Sequence, residues 1–236
     1  MHLLKAHGGL SVATDAGSIL PLMQLIGIGR NYAEHAKEQG AAVPDAPMVF
    51  TKNPAAASLH GDAIVVPKAC QDKEQVDFEG ELAVVISRAA RDVAKSDALA
   101  HVLGYTCAND VSARWWQKSG SGGQFFRGKS FDTFCPLGPR VVAAAEVGDP
   151  NNLKLVTRVN GVVKQQASTG EMMFDVPTLI SELSRGMTLL PGTVILTGTP
   201  SGVGMARIPP EWLKHGDVVE VEIEKIGVLK NSVVFE

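Results

Sequence analysis

Glu79 and Glu81 stand one residue apart at the head of the run Phe78-Glu79-Gly80-Glu81-Leu82-Ala83-Val84-Val85-Ile86. If Asp77 to Ile86 is a strand, side chains alternate with period two and the two glutamates share a face that continues into Ala83 and Val85. The other face carries Phe78, Leu82, Val84 and Ile86, so the second half is apolar on both sides, as in a strand buried on both faces. Two carboxylates at the buried end of such a strand repel each other and lose hydration, so they need a cation, a proton or an arginine to stay there. A divalent metal ion is the simplest partner. The chain also holds a contrast in Val219-Glu220-Val221-Glu222-Ile223-Glu224, where the alternation never breaks and the glutamates are expected in water. A solvated acidic face remains the competing reading for Glu79 and Glu81.

Asp110 follows the apolar run Val102-Leu103-Gly104-Tyr105-Thr106-Cys107-Ala108-Asn109 and supplies a plausible third oxygen ligand. Three carboxylates suit Mg²⁺ or Mn²⁺, with water or substrate completing the shell. By itself an Asn-Asp pair after a strand more often marks a turn. His35 differs from the other histidines (His2, His7, His60, His101 and His215) in having Glu38 at i+3 on a short predicted helix, Tyr32–Gln39. A carboxylate beside an imidazole raises its basicity, which suits a general base, although by spacing alone a solvated pair on an exposed helix is the commoner meaning. Lys129 follows a Gly/Ser stretch at 119–123 and precedes an apolar turn, so it reads either as an electrophile reaching into a site or as a surface lysine.

Two nucleotide-binding patterns fail on context. Gly123-Gln124-Phe125-Phe126-Arg127-Gly128-Lys129-Ser130 spells GxxxxGK[ST], but no buried strand precedes it and two prolines follow where a helix should open. Gly27-Ile28-Gly29-Arg30-Asn31-Tyr32 puts tyrosine where GxGxxG needs its third glycine. There is no HExxH.

The elements that must position these residues are mostly strands. Short apolar runs recur between Gly, Pro, Asn and Asp: Leu25–Ile28, Met48–Phe50, Ile64–Val66, Leu82–Ile86, Val141–Val142, Thr193–Thr197, Val218–Ile223 and Val228–Phe235. Asn160-Gly161 between alternating flanks predicts a type I′ hairpin. Helices are expected at Tyr32–Gln39, Val93–Val102 and Pro177–Arg185, the last with Asp175 near its start and Gly186 past its end. Residues 1–20 read as a small separate β-hairpin ahead of one main domain over 21–236, with Asp15-Ala16-Gly17 near a turn.

At 236 residues and 45% hydrophobic content the chain can bury a sizeable core. The formal net charge of -3 and the lack of basic clusters argue against nucleic acid and anionic membranes, leaving a small soluble ligand as the expected partner. The N-terminus, Met1 to His7, has no signal-peptide core and no run elsewhere is long enough to span a membrane, so the chain reads as cytoplasmic. Cys70, Cys107 and Cys135 form no CxxC and read as small buried hydrophobes.

Five segments, in order, together resemble the fumarylacetoacetate hydrolase superfamily, especially its short single-domain members. They are Gly29-Arg30-Asn31-Tyr32-Ala33-Glu34-His35, the Glu79-Gly80-Glu81 strand, Asn109-Asp110-Val111-Ser112-Ala113-Arg114, Gly128-Lys129-Ser130-Phe131-Asp132-Thr133-Phe134-Cys135-Pro136, and Leu196-Thr197-Gly198-Thr199-Pro200-Ser201-Gly202-Val203-Gly204. The resemblance implies an α+β, β-rich fold, a mixed β-roll with a few short helices whose loops meet at one mouth, and commonly a homodimer. It implies Glu79, Glu81 and Asp110 for Mg²⁺ or Mn²⁺, His35 and Glu38 as the base on a lid, and Lys129 beside the metal. Arg114, Gln117 and Thr199 match positions that contact the substrate's carboxylate or oxo group.

The chemistry it implies is Lewis-acid activation of a small 2-oxo acid. The first expectation is hydrolysis of a C–C bond in an acylpyruvate. The alternative is tautomerase, isomerase or decarboxylase action on oxaloacetate or a 2-hydroxy-dienedioate, because one site supports all of these. Trp115-Trp116 after Arg114 departs from the more polar residue expected there and adds bulk near the predicted pocket.

Overall fold

The computed structural model describes residues 1–6 and 8–236; His7 lies outside the described residues. A seven-stranded mixed sheet forms its centre, in the order Met48–Lys52, Gln24–Gly29, Thr193–Leu196, Gly80–Ile86, Val102–Asn109, Cys135–Ala143, Ala57–Leu59. Two neighbouring pairs are parallel, Thr193–Leu196 with Gln24–Gly29 and Cys135–Ala143 with Ala57–Leu59, and the others are antiparallel. A five-stranded sheet runs Val162–Ser168, Lys154–Val159, Val218–Ile223, Gly227–Phe235, Ile64–Val66. The fold is therefore strand-rich with short helices, as expected.

The central strand Gly80–Ile86 is buried along its whole length. Leu82, Val84 and Ile86 point into a core shared with Tyr105, Leu155, Val221 and the helix Val176–Ser184. Ala83 and Val85 point the other way, into a cluster with Leu10, Val12, Leu137 and Leu196. Burial of each large side chain contributes about 1.5–3 kcal/mol, so this strand is fixed from both faces and cannot slip by one residue.

The helix Val176–Ser184 buries Val176, Leu179, Ile180 and Leu183, one stripe at helical spacing, and Asp175 caps it by accepting from Thr178 N–H at 2.8 Å. Asn160 and Gly161 take positive φ in the hairpin joining Lys154–Val159 to Val162–Ser168, as the Asn-Gly pair predicts. In Val218–Ile223 the even positions are only half-buried, and Glu222 and Glu220 meet Arg158 and Lys230 at 2.7 and 3.0 Å.

Three expectations are corrected. The segment predicted as a helix over Val93–Val102 is a 3₁₀ helix, Lys95–His101, with Ala98 its one buried side chain and no apolar stripe to hold an α-helix against the core. The N-terminal segment has three strands, His2–Ala6, Gly9–Ala13 and Ile19–Pro21, rather than two, and its Leu10 and Val12 pack into the same cluster as Val85. The strand predicted from Asp77 is interrupted at Phe78 and Glu79, because Val76–Asp77 pairs instead with Ser112–Ala113.

Candidate metal centre and proton-transfer site

Strand register brings the three acids together. Gly80–Ile86 runs antiparallel to Val102–Asn109 with Glu81 opposite Ala108 and Gly80 opposite Asn109. One step further puts Glu79 opposite Asp110, where Asp110 N–H donates to Glu79 O at 2.8 Å. Asn109 locks the junction, its Oδ1 accepting from Glu79 N–H at 3.0 Å. Glu79, Glu81 and Asp110 are all buried, with one carboxylate oxygen of each lying within 4.8 Å of the others.

The surrounding cations are shared unequally. Lys129 Nζ donates to Asp110 Oδ2 at 2.5 Å, Ser112 Oγ at 2.8 Å and Glu79 Oε2 at 2.9 Å. Lys52 Nζ donates to Asp110 Oδ1 and to Phe134 O. Arg114 donates through Nε and Nη2 to Asp77, at 2.9 and 2.7 Å, and through Nη2 to Glu79 at 2.8 Å. Among the described residues, four buried carboxylates thus meet three buried cations, and no cation pairs with Glu81.

The protonation directions follow from this. Burial alone would raise Glu79, but Lys129 and Arg114 outweigh it and hold the carboxyl well below its ordinary range. Glu81 goes the other way: burial, then the charges of Asp110 and Glu79, push it far up against the charge of Lys129 and one hydrogen bond, from Gly198 N–H at 2.7 Å. Burial would lower Lys129, yet Asp110 and Glu79 more than compensate and keep it cationic. A cluster of hard oxygen donors with one surplus negative charge fits a divalent cation, which would replace the proton on Glu81.

His35 lies on the helix Ala33–Glu38 and is buried, not solvated. Its Nδ1 is 2.7 Å from Glu38 Oε1; a carboxylate only accepts, so Nδ1 carries the hydrogen. That leaves Nε2 as the basic atom, and it faces the side-chain amide of Gln39 at 2.9 Å. Glu38 is held in turn by Gly202 N–H at 2.8 Å.

Sequence reading passed over what the glycine-rich loop does. After the strand Thr193–Leu196, Gly198 N–H donates to Glu81, Gly202 N–H to Glu38 and Gly204 N–H to Asp77. Gly198 and Gly202 have φ of +98° and +103°, and a Cβ on Gly202 would lie 2.1 Å from Lys164 O, so only glycine fits. Thr199 Oγ1 donates to Gly80 O at 2.9 Å and accepts from Gln165 Nε2 at 2.7 Å.

A cavity is lined by Glu79, Glu81, His35, Lys129, Gln117 and Thr199, together with Arg30, Gln39 and Phe50. Asp110 closes the metal end from behind. Arg114, expected against substrate, sits behind Glu79 with its guanidinium given to Asp77, Glu79 and Gln117. Trp115 and Trp116 do not line the cavity; they pack edge-to-face at 4.7 Å beneath Lys73 and Arg127, so their bulk does not narrow it. In the GxxxxGKS run the helix Phe125–Gly128 ends before Lys129, whose ammonium faces carboxylates, which removes the phosphate-loop reading. The cysteines are buried and unpaired, with burial first pushing the Cys107 and Cys135 thiols up to about 12.

Lys52, Asp77 and Gln165 were missed. Met48, Phe50 and Lys52 share the inward face of Met48–Lys52, and a lone lysine in phase with apolar residues was the available signal for the first. Asp77 stands two residues before Glu79, so the period-two spacing that marks the two glutamates was an available signal for it; Gln165 sits on a strand with nothing in its spacing to mark it.

Buried carboxylates that could hold a divalent cation, a buried histidine held by the half-buried Glu38, and a buried lysine meet at one cavity of this strand-rich fold. The chain belongs to the fumarylacetoacetate hydrolase family: the model of the fumarylacetoacetate (FAA) hydrolase C-terminal region matches residues 24–234. It is 49% identical over 213 residues to a mitochondrial oxaloacetate tautomerase of Homo sapiens, covering 89% of this chain and 66% of that protein. It is 47% identical over 215 residues to the oxaloacetate tautomerase YisK of Bacillus subtilis, covering 90% and 70%. Among solved structures, a 5-carboxymethyl-2-hydroxymuconate delta-isomerase from Mycobacterium smegmatis matches with a TM-score of 0.80 and 39% identity, covering 98% of this chain and 84% of that one. The chain thus spans about two thirds of the length of the curated relatives it matches. No helix among the described residues is long and apolar enough to cross a membrane.

Proposed function

We propose that this protein is a divalent-metal-dependent tautomerase of a small 2-oxo diacid of the oxaloacetate type. The observation that carries the reading is the His35 ring, buried beside the acid cluster with Nδ1 fixed by Glu38 and Nε2 left to accept a proton. The relatives named oxaloacetate tautomerase support this alternative above the first expectation of acylpyruvate hydrolysis. Hydrolysis would also need a water held between the base and a second carbonyl, whereas tautomerisation needs only one proton moved between carbon and oxygen.

Glu79, Glu81 and Asp110 would hold Mg²⁺ or Mn²⁺, which supplies a Lewis acid for the 2-oxo acid head and offsets negative charge on the enol oxygen. His35 Nε2 moves the proton at the substrate's C3, and substrate must displace the Gln39 amide to reach it. Glu38, acting through Nδ1–H, fixes the tautomer and stabilises the imidazolium while it carries the proton. Lys129 brings a fixed positive charge to the same end. Thr199 and Gln117 offer polar atoms to the substrate from the cavity wall.

The test is ultraviolet absorbance of enol-oxaloacetate with Mg²⁺ or Mn²⁺, with an EDTA-treated control and products followed by mass spectrometry. Metal-dependent enol loss at unchanged mass is the expected result. Pyruvate plus a carboxylic acid released from an acylpyruvate, with no acceleration of enol loss, would return the assignment to hydrolase.

A further inference from the structure

Arg30 differs from the three cations buried at the acid cluster. Lys52, Lys129 and Arg114 each sit on a buried carboxylate. Arg30 enters none of the ion pairs or side-chain hydrogen bonds among the described residues, and its Nε is buried with no partner. A buried guanidinium nitrogen without an acceptor is costly, and it marks a place where an acceptor arrives from outside.

The backbone holds Arg30 there against its own preference. Its φ is +54°, in the left-handed region that non-glycine residues seldom adopt. The next residue pins the turn: Asn31 Nδ2 donates to Thr197 O at 2.8 Å and Phe174 O at 3.0 Å, while its Oδ1 accepts from Phe174 N–H at 2.9 Å. Strain maintained by a buried asparagine beside a cavity is a positioning device.

Arg30 lines two adjoining spaces. One is the carboxylate cavity; the other is walled by Gln39, Gln117, Lys118, Phe125 and Met205 as well as Arg30. Among the described residues lining this second space there is no carboxylate, and its charges are Arg30 and Lys118. Lys118 is held below its ordinary range first by burial and then by the positive charges of Arg114 and Arg30, as expected inside a positive field. The site is polarised, with acids and Lys129 at one end and unpaired cations at the other.

We infer that Arg30, with Lys118 on the outer wall, receives the second carboxylate of a dicarboxylic 2-oxo acid and so selects diacids over monoacids with the same head group. This rests on the tautomerase reading for the head group, and it goes further in naming the residue that sets specificity. A planar guanidinium suits a carboxylate because it can donate two parallel hydrogen bonds.

The experiment pairs kinetics with binding on the Mn²⁺-loaded protein. Oxaloacetate is compared with 2-oxobutyrate, a monoacid, by solvent-deuterium exchange at C3. 2-Oxoglutarate and 2-oxobutyrate are titrated calorimetrically. Arg30→Met is expected to raise KM for the diacid and weaken diacid binding by about tenfold or more, the loss expected for a charge-assisted hydrogen bond. Monoacid kinetics and binding should stay within about twofold, and Arg30→Lys should recover part of the diacid preference. Equal losses for both acids, or diacid affinity unchanged in Arg30→Met, would overturn the assignment even if oxaloacetate is turned over. Selective loss of diacid binding in a protein that tautomerises nothing would uphold Arg30 and sink the tautomerase reading instead.

Discussion

Replacing Glu81 with glutamine separates charge from shape at the acid cluster. In the metal-free protein its carboxyl is raised well above the ordinary range, by burial first and then by Asp110 and Glu79. A group raised on folding gives its full stabilisation below its unfolded value and loses it as pH climbs toward the folded one. Starting from the unperturbed value of 4.5, each pH unit climbed with the proton retained costs about 1.36 kcal/mol. At pH 7 the penalty therefore has a ceiling of about 3 kcal/mol. Glutamine has nothing to ionise, and its amide oxygen can still accept from Gly198 N–H. Metal-free Glu81→Gln is thus expected to be more stable than the parent at pH 7 by up to about 3 kcal/mol, or roughly 6–12 °C in Tm, with the advantage shrinking as pH falls toward the unperturbed value. Saturating Mn²⁺ reverses the order, because the parent gains binding free energy and the variant little. The assay is thermal unfolding in EDTA and in Mn²⁺ at about pH 5 and pH 7. A variant less stable than the parent in EDTA at pH 7, or equally stabilised by metal, would refute the surplus charge on Glu81.

His35→Ala should keep metal affinity, read by calorimetry, while turnover falls by about 10²–10⁴-fold, the usual worth of a general base; unchanged turnover removes the dyad from the mechanism. Gly202→Ala brings a Cβ to 2.1 Å from Lys164 O at φ +103°, so it should cost about 1–3 kcal/mol in denaturant unfolding and, by moving the donor to Glu38, lower kcat as well. Asp175→Ala should cost about 1 kcal/mol, since the side chain caps the helix Val176–Ser184. Partial burial opposes ionisation there, but bonds to Thr178 and Lys95 prevail and lower the Asp175 carboxyl. Its contribution is therefore present above the unperturbed value of 3.8 and lost as pH falls through the lower folded one, so parent and variant should converge in acid unfolding.

The sheet was legible because its information is local. Period-two alternation and turn residues mark each strand, and the double-faced burial of Leu82 to Ile86 distinguishes that strand from Val218–Ile223 before any contact is known. The same contrast singled out Glu79 and Glu81, even though the strand breaks at Glu79, because Glu79 and Glu81 stay on one side of the backbone across the break. Asp110 needed more: its place opposite Glu79 is a consequence of antiparallel register between segments that turn thirty residues apart, which only the resemblance to a known family could supply in advance. For Lys52 and Asp77 the phase was local but the partners were not. Lys52 meets Asp110 across 58 positions, and Asp77 meets Arg114 across 37.

Those two pairs also explain why Arg114 reads differently in sequence and in structure. The family resemblance placed Arg114 at a position expected against a substrate carboxylate. Asp77 takes two of its donors, however, and Asp77 itself is fixed by Gly204 and Met205 N–H, at 2.7 and 3.0 Å. The guanidinium therefore ties the glycine-rich loop, which also carries Thr199, to Glu79 and so to the acid cluster. Arg30 has the opposite history: it enters the sequence reading only within a failed glycine motif and a family-like segment, yet among the described residues its Nε is buried without a partner. Which arginine is free to bind substrate was decided by where the buried carboxylates fall, a property of the assembled fold rather than of either segment.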